Sequence, residues 1–298
     1  MRGAFLLMPK SESEKPYLAF DFGAESGRAV LAHFHSGVLT TEEIHRFQNE
    51  PVEYGGALHW DVPRLWFEVR KALASVEKLE LAGIGVDAWG VDYALLGEQG
   101  ALLQNPYHYR DGRTSGVMAE VFREVPREEI YATTGIQFMP INTLYQLFAA
   151  QRDSPKLLAA ADSLLTIPDL LHYWLTGVAV CEFTNATTTQ MVSPISRSWA
   201  VDLITRLNLP TRLLAKIVEP GTVIGKLRLE IAGGSALFGT PVIAPASHDT
   251  GSAIAAISAR NGTAFLSSGT WSLLGTELDA PVLTSQALRM NFRHGCMN

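Results

Sequence analysis

Residues 17–34 read YLAFDFGAESGRAVLAHF, and this stretch decides the fold. The apolar and aromatic run over residues 17–20 is typical of a buried strand, and the Asp, Gly and Ser residues between positions 21 and 27 favour a sharp turn. Residues 29–32 show no helical period, and a Ser-Gly pair at 36–37 leads into a third run over 38–47. The sequence therefore predicts a β-meander.

A β-meander excludes two common phosphate-binding motifs. In the Rossmann and Walker loops the phosphate lies at the N-terminus of a helix that follows the glycines. Here a strand follows the glycines instead, and the spacing of neither motif is matched.

The glycine-rich hairpin tip can nevertheless bind phosphate. Gly23 and Gly27 permit positive φ and close approach of the backbone, and the loop N–H groups can surround an anion. Asp21 can hold a hydrated Mg²⁺. The alternative is an ordinary hairpin turn, and these residues alone do not choose between the two.

Composition limits the classes of function. The chain has 298 residues, of which 47% are hydrophobic, enough for one large or two medium domains. A net charge of −6 without a Lys/Arg-dense run argues against nucleic acid and anionic membrane as partners. Cys181 and Cys296 give neither a disulfide framework nor metal-ligand spacing, so a cytoplasmic location is expected. Residues 1–15 are interpreted as a disordered extension.

The elements after the meander indicate an α/β domain. Asp61 is expected to cap a helix over residues 62–79, and an apolar strand over 81–86 ends at Asp87. A loop at 88–90 precedes another strand at 91–96. Asp87 and Asp92 flank Trp89 at a strand end, where α/β sheets place ligands. The alternative is a turn with a packed Trp.

Three later segments add to this pattern. Residues 182–192, EFTNATTTQMV, suit either a polar strand or a sugar-contacting loop, and residues 199–207 and 210–217 predict two short helices. A strand at 241–244 leads through PASHDTG into a small-residue helix at 252–257. Residues 263–274, TAFLSSGTWSLL, repeat the strand-tip-strand pattern of the opening hairpin, which indicates a second, related unit beginning there.

Seven motifs, in the same order along the chain, resemble those of the FGGY carbohydrate kinases. They are DFGAESGR (21–28), GVDAWGVDY (85–93), YRDGRT (109–114), GIQFMPINTLYQL (135–147), TNATTTQ (184–190), ASHDT (246–250) and LSSGTWSL (266–273). The resemblance implies an α/β, ribonuclease-H-like fold, shared with actin and Hsp70, with a mixed sheet. It divides the chain into a first kinase domain at residues 16–259 and the start of a second domain at 260–298.

The resemblance also implies site residues. Asp249 would be the general base that takes a proton from the sugar hydroxyl, and its alternative role is to cap the helix expected near Ser252. Asp21 would contact Mg²⁺ through water. The ketose would contact Gly90, His248, Asp249 and Thr250. ATP would contact a first loop of Ala24, Glu25, Ser26, Gly27 and Arg28 and a second loop of Ser268, Gly269 and Thr270.

Within the family, the motifs are most similar to kinases that use ATP and Mg²⁺ to phosphorylate the 1-hydroxyl of L-rhamnulose. The alternatives are a kinase of L-fuculose or L-xylulose and a non-catalytic sugar-binding remnant. The similarity fades after Asn291, and the family's adenosine subsite is expected beyond residue 298. We therefore expect the chain to self-associate through an exposed face at residues 263–274 and to have little kinase activity.

Overall fold

The computed structural model describes residues 15–257, 263–268 and 272–293. Of the expected N-terminal extension, only Lys15 is among them. Gly269 and Thr270, predicted for the second ATP loop, also lie outside the described residues.

The described residues form sixteen strands and eleven α-helices. The strands are β1 (Tyr17–Phe22), β2 (Ser26–His35), β3 (Val38–Gln48), β4 (Pro51–Tyr54), β5 (Ala57–Trp60), β6 (Gly83–Ala88), β7 (Tyr93–Leu96), β8 (Ser163–Thr166), β9 (Val180–Glu182), β10 (Val192–Ser193), β11 (Ser198–Trp199), β12 (Lys216–Val218), β13 (Val223–Lys226), β14 (Pro241–Ile243), β15 (Ala264–Ser268) and β16 (Ser272–Thr276). The helices are α1 (Val62–Ser75), α2 (Val117–Glu124), α3 (Arg127–Thr134), α4 (Thr143–Asp153), α5 (Pro155–Ala160), α6 (Ile167–Thr176), α7 (Phe183–Thr188), α8 (Val201–Arg206), α9 (Leu229–Ala232), α10 (Asp249–Ala255) and α11 (Ser285–Arg289).

A mixed sheet forms the centre of the fold. Within the described residues it has six strands, in the order β13-β14-β6-β1-β2-β3. β1, β2 and β3 are antiparallel neighbours, whereas β6 runs parallel to β1 and β14 runs parallel to β6. This arrangement confirms both the predicted β-meander and the predicted mixed sheet.

Alternation of apolar residues explains why one face of β1 packs on the core. Leu18, Phe20 and Phe22 are almost fully buried on one face. Helix α1 contributes Leu65 and Val69 to the same core, and its N-terminus is capped by Asp61, as predicted. The helix ends at Ser75, four residues earlier than the predicted end at 79.

A second apolar core lies beside the sheet. It joins β7 and β8 to helices α2 to α5, α8 and α11, with Ile130, Tyr145 and Leu288 among its buried residues. β7 lies between the two cores, because Ala94 and Leu96 belong to the first core and Tyr93 and Leu95 to the second. The loop at residues 89–92, which leads into β7, packs on the first core through Trp89 and Val91.

Two predicted elements differ from the structure. Residues 210–217, predicted as a helix, form a short 3₁₀ turn at Thr211–Leu213 and then β12, because β12 pairs in parallel with β9. The strand predicted at 91–96 begins only at Tyr93. As for membrane association, the helices of the described ranges are all too short or too polar to cross a bilayer.

Close packing, and not positive φ, accounts for the glycines of the first hairpin. Neither Gly23 nor Gly27 lies in the left-handed region, so this part of the prediction is wrong. A Cβ atom on Gly27 would lie 2.2 Å from Cζ of Phe47, far inside van der Waals contact. The Phe47 ring is buried against Phe22, with ring centroids 5.5 Å apart, and has little room to move.

We predict that Gly27→Ala lowers the free energy of unfolding by about 1–3 kcal/mol, because the methyl group overpacks the site. Urea unfolding would measure this. Gly112→Ala is the matched control, since a Cβ there meets nothing within 4 Å. In a double-mutant cycle, Phe47→Leu should recover part of the loss, and strictly additive effects would contradict the predicted clash.

Candidate functional site

The candidate site lies where three neighbouring strands end. β1 and β6 pair in register, so that Asp21 lies opposite Asp87. Beyond β14, His248 forms an isolated parallel bridge with Ala88 of β6. The structure thus brings the predicted phosphate loop and the predicted catalytic segment to the same edge of the sheet, at the carboxyl ends of its parallel strands.

The predicted first ATP loop forms the tight tip between β1 and β2. The Gly23 N–H donates to the Ser26 carbonyl at 2.8 Å, which closes the turn. Asn49, just after β3, donates from its backbone N–H to the Glu25 carbonyl (3.0 Å) and from its side chain to the Gly23 carbonyl (2.8 Å). Asn49 is 4% exposed and fixes the loop from behind, a role the sequence analysis missed.

Asp21 and Arg28 face each other across the hairpin. They are register partners on β1 and β2, and the Arg28 guanidinium donates to Asp21 Oδ2 at 2.7 and 2.9 Å. Both side chains are partly exposed. The predicted metal contact and one predicted phosphate contact are therefore adjacent, as a site for a metal-bound phosphate requires.

Asp249 begins helix α10. His248, not Asp249, occupies the N-cap position, so the alternative that Asp249 caps a helix starting near Ser252 is wrong. Asp249 Oδ1 accepts from the N–H and the hydroxyl of Thr250, at 2.5 and 3.2 Å. Partial burial raises the pKa of Asp249, these two hydrogen bonds oppose the rise, and the charge of Asp21 adds to it. Its side chain remains 36% exposed and accessible to a hydroxyl group.

His248 and Arg293 lie beside this carboxylate. The His248 side chain is 12% exposed, and burial, together with the positive charge of Arg293, lowers the pKa of His248 well below its usual range. His248 is therefore neutral at pH 7 and offers hydrogen bonds, not charge. Arg293 partly offsets the raised pKa of Asp249. The sequence analysis treated residues 292–298 as unrelated to the family and so missed Arg293.

Asp87 completes a crowded group of carboxylates. Burial, and then the charge of Asp21, raise the pKa of Asp87 well above its usual range. Its buried Oδ1 atom has no hydrogen-bond partner among the described residues. Within the described ranges no three such side chains are spaced to ligate a metal directly. Oxygen donors around an unsatisfied buried carboxylate nevertheless fit a hydrated Mg²⁺.

Gly90 lies in the loop that follows β6, whose last residue, Ala88, bridges to His248. A Cβ atom on Gly90 would lie 2.7 Å from Cγ2 of Thr188, so only glycine fits against α7. The next residue, Val91, has a φ of 67°, a rare conformation for a β-branched residue. Its N–H donates to Thr188 Oγ1 (2.9 Å) and its carbonyl accepts from Thr143 Oγ1 (2.6 Å), which hold it in place.

Asp92 is a structural residue. It is 0% exposed, and its carboxylate is surrounded by donors. They are the Trp60 indole (2.6 Å), the Trp89 indole (3.0 Å), the Tyr109 backbone N–H (3.3 Å) and the Gln146 amide (2.9 Å). These bonds satisfy the Asp92 carboxylate beside Trp89 without a ligand, and they anchor the Gly90 loop.

The threonine-rich run is mostly helical, not the strand or loop expected from its composition. Residues 180–182 form β9 and residues 183–188 form α7. The hydroxyls of Thr187, Thr188 and Thr189 donate to carbonyls three residues earlier, at 2.6–2.7 Å. All three side chains are buried and satisfied, so the run supports the site from behind.

Titration of Asp92 provides a test of this network. Burial raises the pKa of Asp92 to about 6, although its donors oppose the shift. We predict that the indole N–H resonances of Trp60 and Trp89 titrate with a midpoint near pH 6, whereas those of Trp66 and Trp174 do not. Asp92→Asn should abolish this step. Because the folded pKa exceeds the unfolded one, the associated stabilisation is complete below about pH 4 and is lost as the pH rises through 6.

A second step near pH 4 is expected from His108, which stacks on Trp60 with ring centroids 4.0 Å apart and whose pKa burial lowers to about 4. His108→Gln should remove that lower step alone. Indole resonances that stay constant between pH 5 and 7 would contradict the assignment to Asp92.

Comparison with known proteins identifies the family. The model of the N-terminal domain of the FGGY family of carbohydrate kinases matches residues 16–256. A rhamnulokinase of Oceanobacillus iheyensis is 41% identical over 92% of this chain and 59% of its own length. A rhamnulokinase of Pectobacterium atrosepticum is 45% identical over 93% of this chain and 56% of its own length. The chain thus spans less than two thirds of the length of these curated relatives.

Solved structures agree on the fold. A carbohydrate kinase from Novosphingobium aromaticivorans superposes with a TM-score of 0.77 at 24% identity, covering 91% of this chain and 58% of that one. A xylulose kinase from Lactobacillus acidophilus superposes with a TM-score of 0.69 at 18% identity, covering 79% of this chain and 48% of that one. These neighbours confirm the predicted ribonuclease-H-like fold. Together with the domain match and the rhamnulokinase relatives, they show that the chain belongs to the FGGY family of carbohydrate kinases.

Proposed function

We propose that the chain carries the sugar- and phosphate-binding part of a ketose kinase, which transfers the γ-phosphoryl group of ATP to the 1-hydroxyl of L-rhamnulose. The observation that carries the proposal is the meeting of Asp249 with the Asp21 hairpin at one sheet edge. The rhamnulokinase relatives favour L-rhamnulose. L-Fuculose and L-xylulose remain alternative substrates.

Each residue then has a chemical role. Asp249 accepts the proton of the attacking hydroxyl, and its raised pKa makes it a better base. Neutral His248, with Thr250 and Gly90, orients the ketose. The hairpin residues Ala24, Glu25, Ser26, Gly27 and Arg28 hold the phosphates, together with Gly269 and Thr270. Mg²⁺, held by Asp21 through water, would neutralise phosphate charge when bound.

The domain division at about residue 259 and a cytoplasmic location remain predictions. Observed contacts bear on the domain division, because Leu288 of α11 is buried in the second core and Tyr131 of α3 donates to the Phe292 carbonyl at 3.2 Å. Residues 285–293 therefore pack on the first domain, although they follow the hairpin assigned to the second.

Asp249→Asn should lower kcat about 10²–10⁴-fold and leave ketose binding intact, because an amide accepts a hydrogen bond but takes up no proton at neutral pH. An ADP-release assay across L-rhamnulose, L-fuculose and L-xylulose would measure turnover, and calorimetry would measure binding. Both are run on this chain and on a chimera that adds the remaining C-terminal part of a relative.

Asp202→Asn, an exposed change on α8, is the matched control and should retain full activity. Asp21→Ala should raise the Mg²⁺ concentration needed for half-maximal turnover. Unchanged turnover in Asp249→Asn would remove Asp249 from the role of base. If the unmutated chain and the unmutated chimera both bind a ketose but show no turnover, the alternative of a non-catalytic sugar-binding remnant would be favoured.

We infer that the isolated chain self-associates through the hairpin of β15 and β16. Leu266 and Leu274 are register partners on one face and are 65% and 75% exposed. Exposed apolar side chains in adjacent positions favour association. Sedimentation velocity should show dimers or larger species that Leu274→Lys reduces and that Leu229→Lys, at an equally exposed site on α9, does not. A monomer at all concentrations would contradict this.

A further inference from the structure

A buried carboxylate lies directly behind the catalytic segment. Glu182 ends β9, is 0% exposed and is the N-cap of α7. Its carboxylate accepts from five donors among the described residues. They are Thr184 N (2.9 Å), Thr184 Oγ1 (2.6 Å), Asn185 N (3.2 Å), Ser247 N (2.9 Å) and Ser247 Oγ (2.7 Å).

Capping alone does not explain this residue. Helix N-caps are normally Ser, Thr, Asp or Asn, whose short side chains reach the first turn. Glu182 caps α7 with both oxygens and also reaches Ser247, 65 positions later in the chain. Ser247 immediately precedes His248 and Asp249. The longer side chain therefore joins the helix to the catalytic segment.

The neighbours of Glu182 hold the same segment. Thr184 Oγ1, which donates to Glu182, accepts from the His248 N–H at 3.2 Å. The Asn185 amide donates to the Ser247 carbonyl at 3.3 Å, and that carbonyl also accepts from Ala88 N at 3.0 Å. The backbone of residues 247 and 248 is thus bound from two sides.

The five donors to Glu182 described above are all neutral groups. Burying a charged carboxylate without a neighbouring cation costs free energy. Burial accordingly raises the pKa of Glu182, although its hydrogen bonds oppose the rise. Both oxygens of Glu182 are satisfied by these donors, whereas Oδ1 of the neighbouring Asn185 has no partner among the described residues. A buried carboxylate that is satisfied in this way fixes the geometry of the groups that donate to it. Such rigidity has most value next to a group that must be placed accurately for reaction.

We propose that Glu182 is a positioning residue for Asp249, acting through Ser247. It holds the backbone of 247–248 so that the carboxylate of Asp249 meets the attacking hydroxyl at the correct distance and angle. This inference rests on the proposed kinase function for its kinetic consequence, but its structural part stands without it.

Two substitutions probe the connection. Glu182→Gln keeps the size of the side chain but turns an amide N–H₂ group toward one of the donors. Ser247→Ala removes one hydroxyl donor and keeps the backbone bond, so it tests the connection even if Glu182→Gln fails to fold. Glu68→Gln is the matched control, because Glu68 is equally buried, at 1% exposure, but bonds to His45 at 2.6 Å instead.

The first readout is the imidazole resonance of each histidine in ¹³C-histidine-labelled protein, assigned by single substitutions. Glu182→Gln and Ser247→Ala should shift the resonance of His248 and leave that of His45 in place. Glu68→Gln should do the reverse. A His248 resonance unchanged in both Glu182→Gln and Ser247→Ala would overturn the proposal and leave Glu182 as a helix cap only.

The second readout is kinetic. In the active form, Glu182→Gln should lower kcat by about 10–100-fold and change the ketose KM by a smaller factor, because proton transfer depends more steeply on the placement of Asp249 than ketose binding depends on the placement of His248. A fall in stability with unchanged kcat would also refute positioning. If unmutated protein never phosphorylates a ketose, the proposed function fails, and the histidine resonances still decide the role of Glu182.

Discussion

The interrupted pairing between β6 and the segment after β14 determines the shape of the site. Ile84 of β6 pairs with Val242 of β14, and Ala88 of β6 pairs with His248. The two pairs are four residues apart along β6 but six residues apart along the neighbouring segment. In the gap, the Val86 N–H donates to the His172 imidazole at 3.3 Å instead of a strand carbonyl. With the two extra residues Ser247 reaches Glu182, and Asp249 follows at the edge of the sheet with a side chain that is 36% exposed.

Local patterns were sufficient to predict the framework. The alternating apolar residues of β1, the turn residues around Gly23, and Asp61 ahead of α1 act within a few positions of one another, and each is confirmed. The resemblance to a family then predicted which strand ends carry the site. The mixed sheet follows from these two sources together.

Long-range hydrogen bonds explain what the sequence did not predict. Threonine favours strands on average, but in α7 the hydroxyls of Thr187 and Thr188 donate to carbonyls three residues earlier, and these residues stay helical and buried. Asn49 acts on Gly23, 26 positions away, and Glu182 on Ser247, 65 positions away. Neither spacing has a period that a sequence can reveal. The residues that support the site were therefore harder to find than those expected to touch its ligands.

The packing of α11 on the second core has a mechanical consequence. In chain order the hairpin of β15 and β16 lies between α10 and α11, and the segment after the hairpin packs on the second core through Leu288 and on α3 through the Phe292 carbonyl. A segment attached at both ends moves less far than one attached at a single point. Movement of the hairpin would therefore be coupled to its second attachment, next to Arg293, whose charge acts on Asp249.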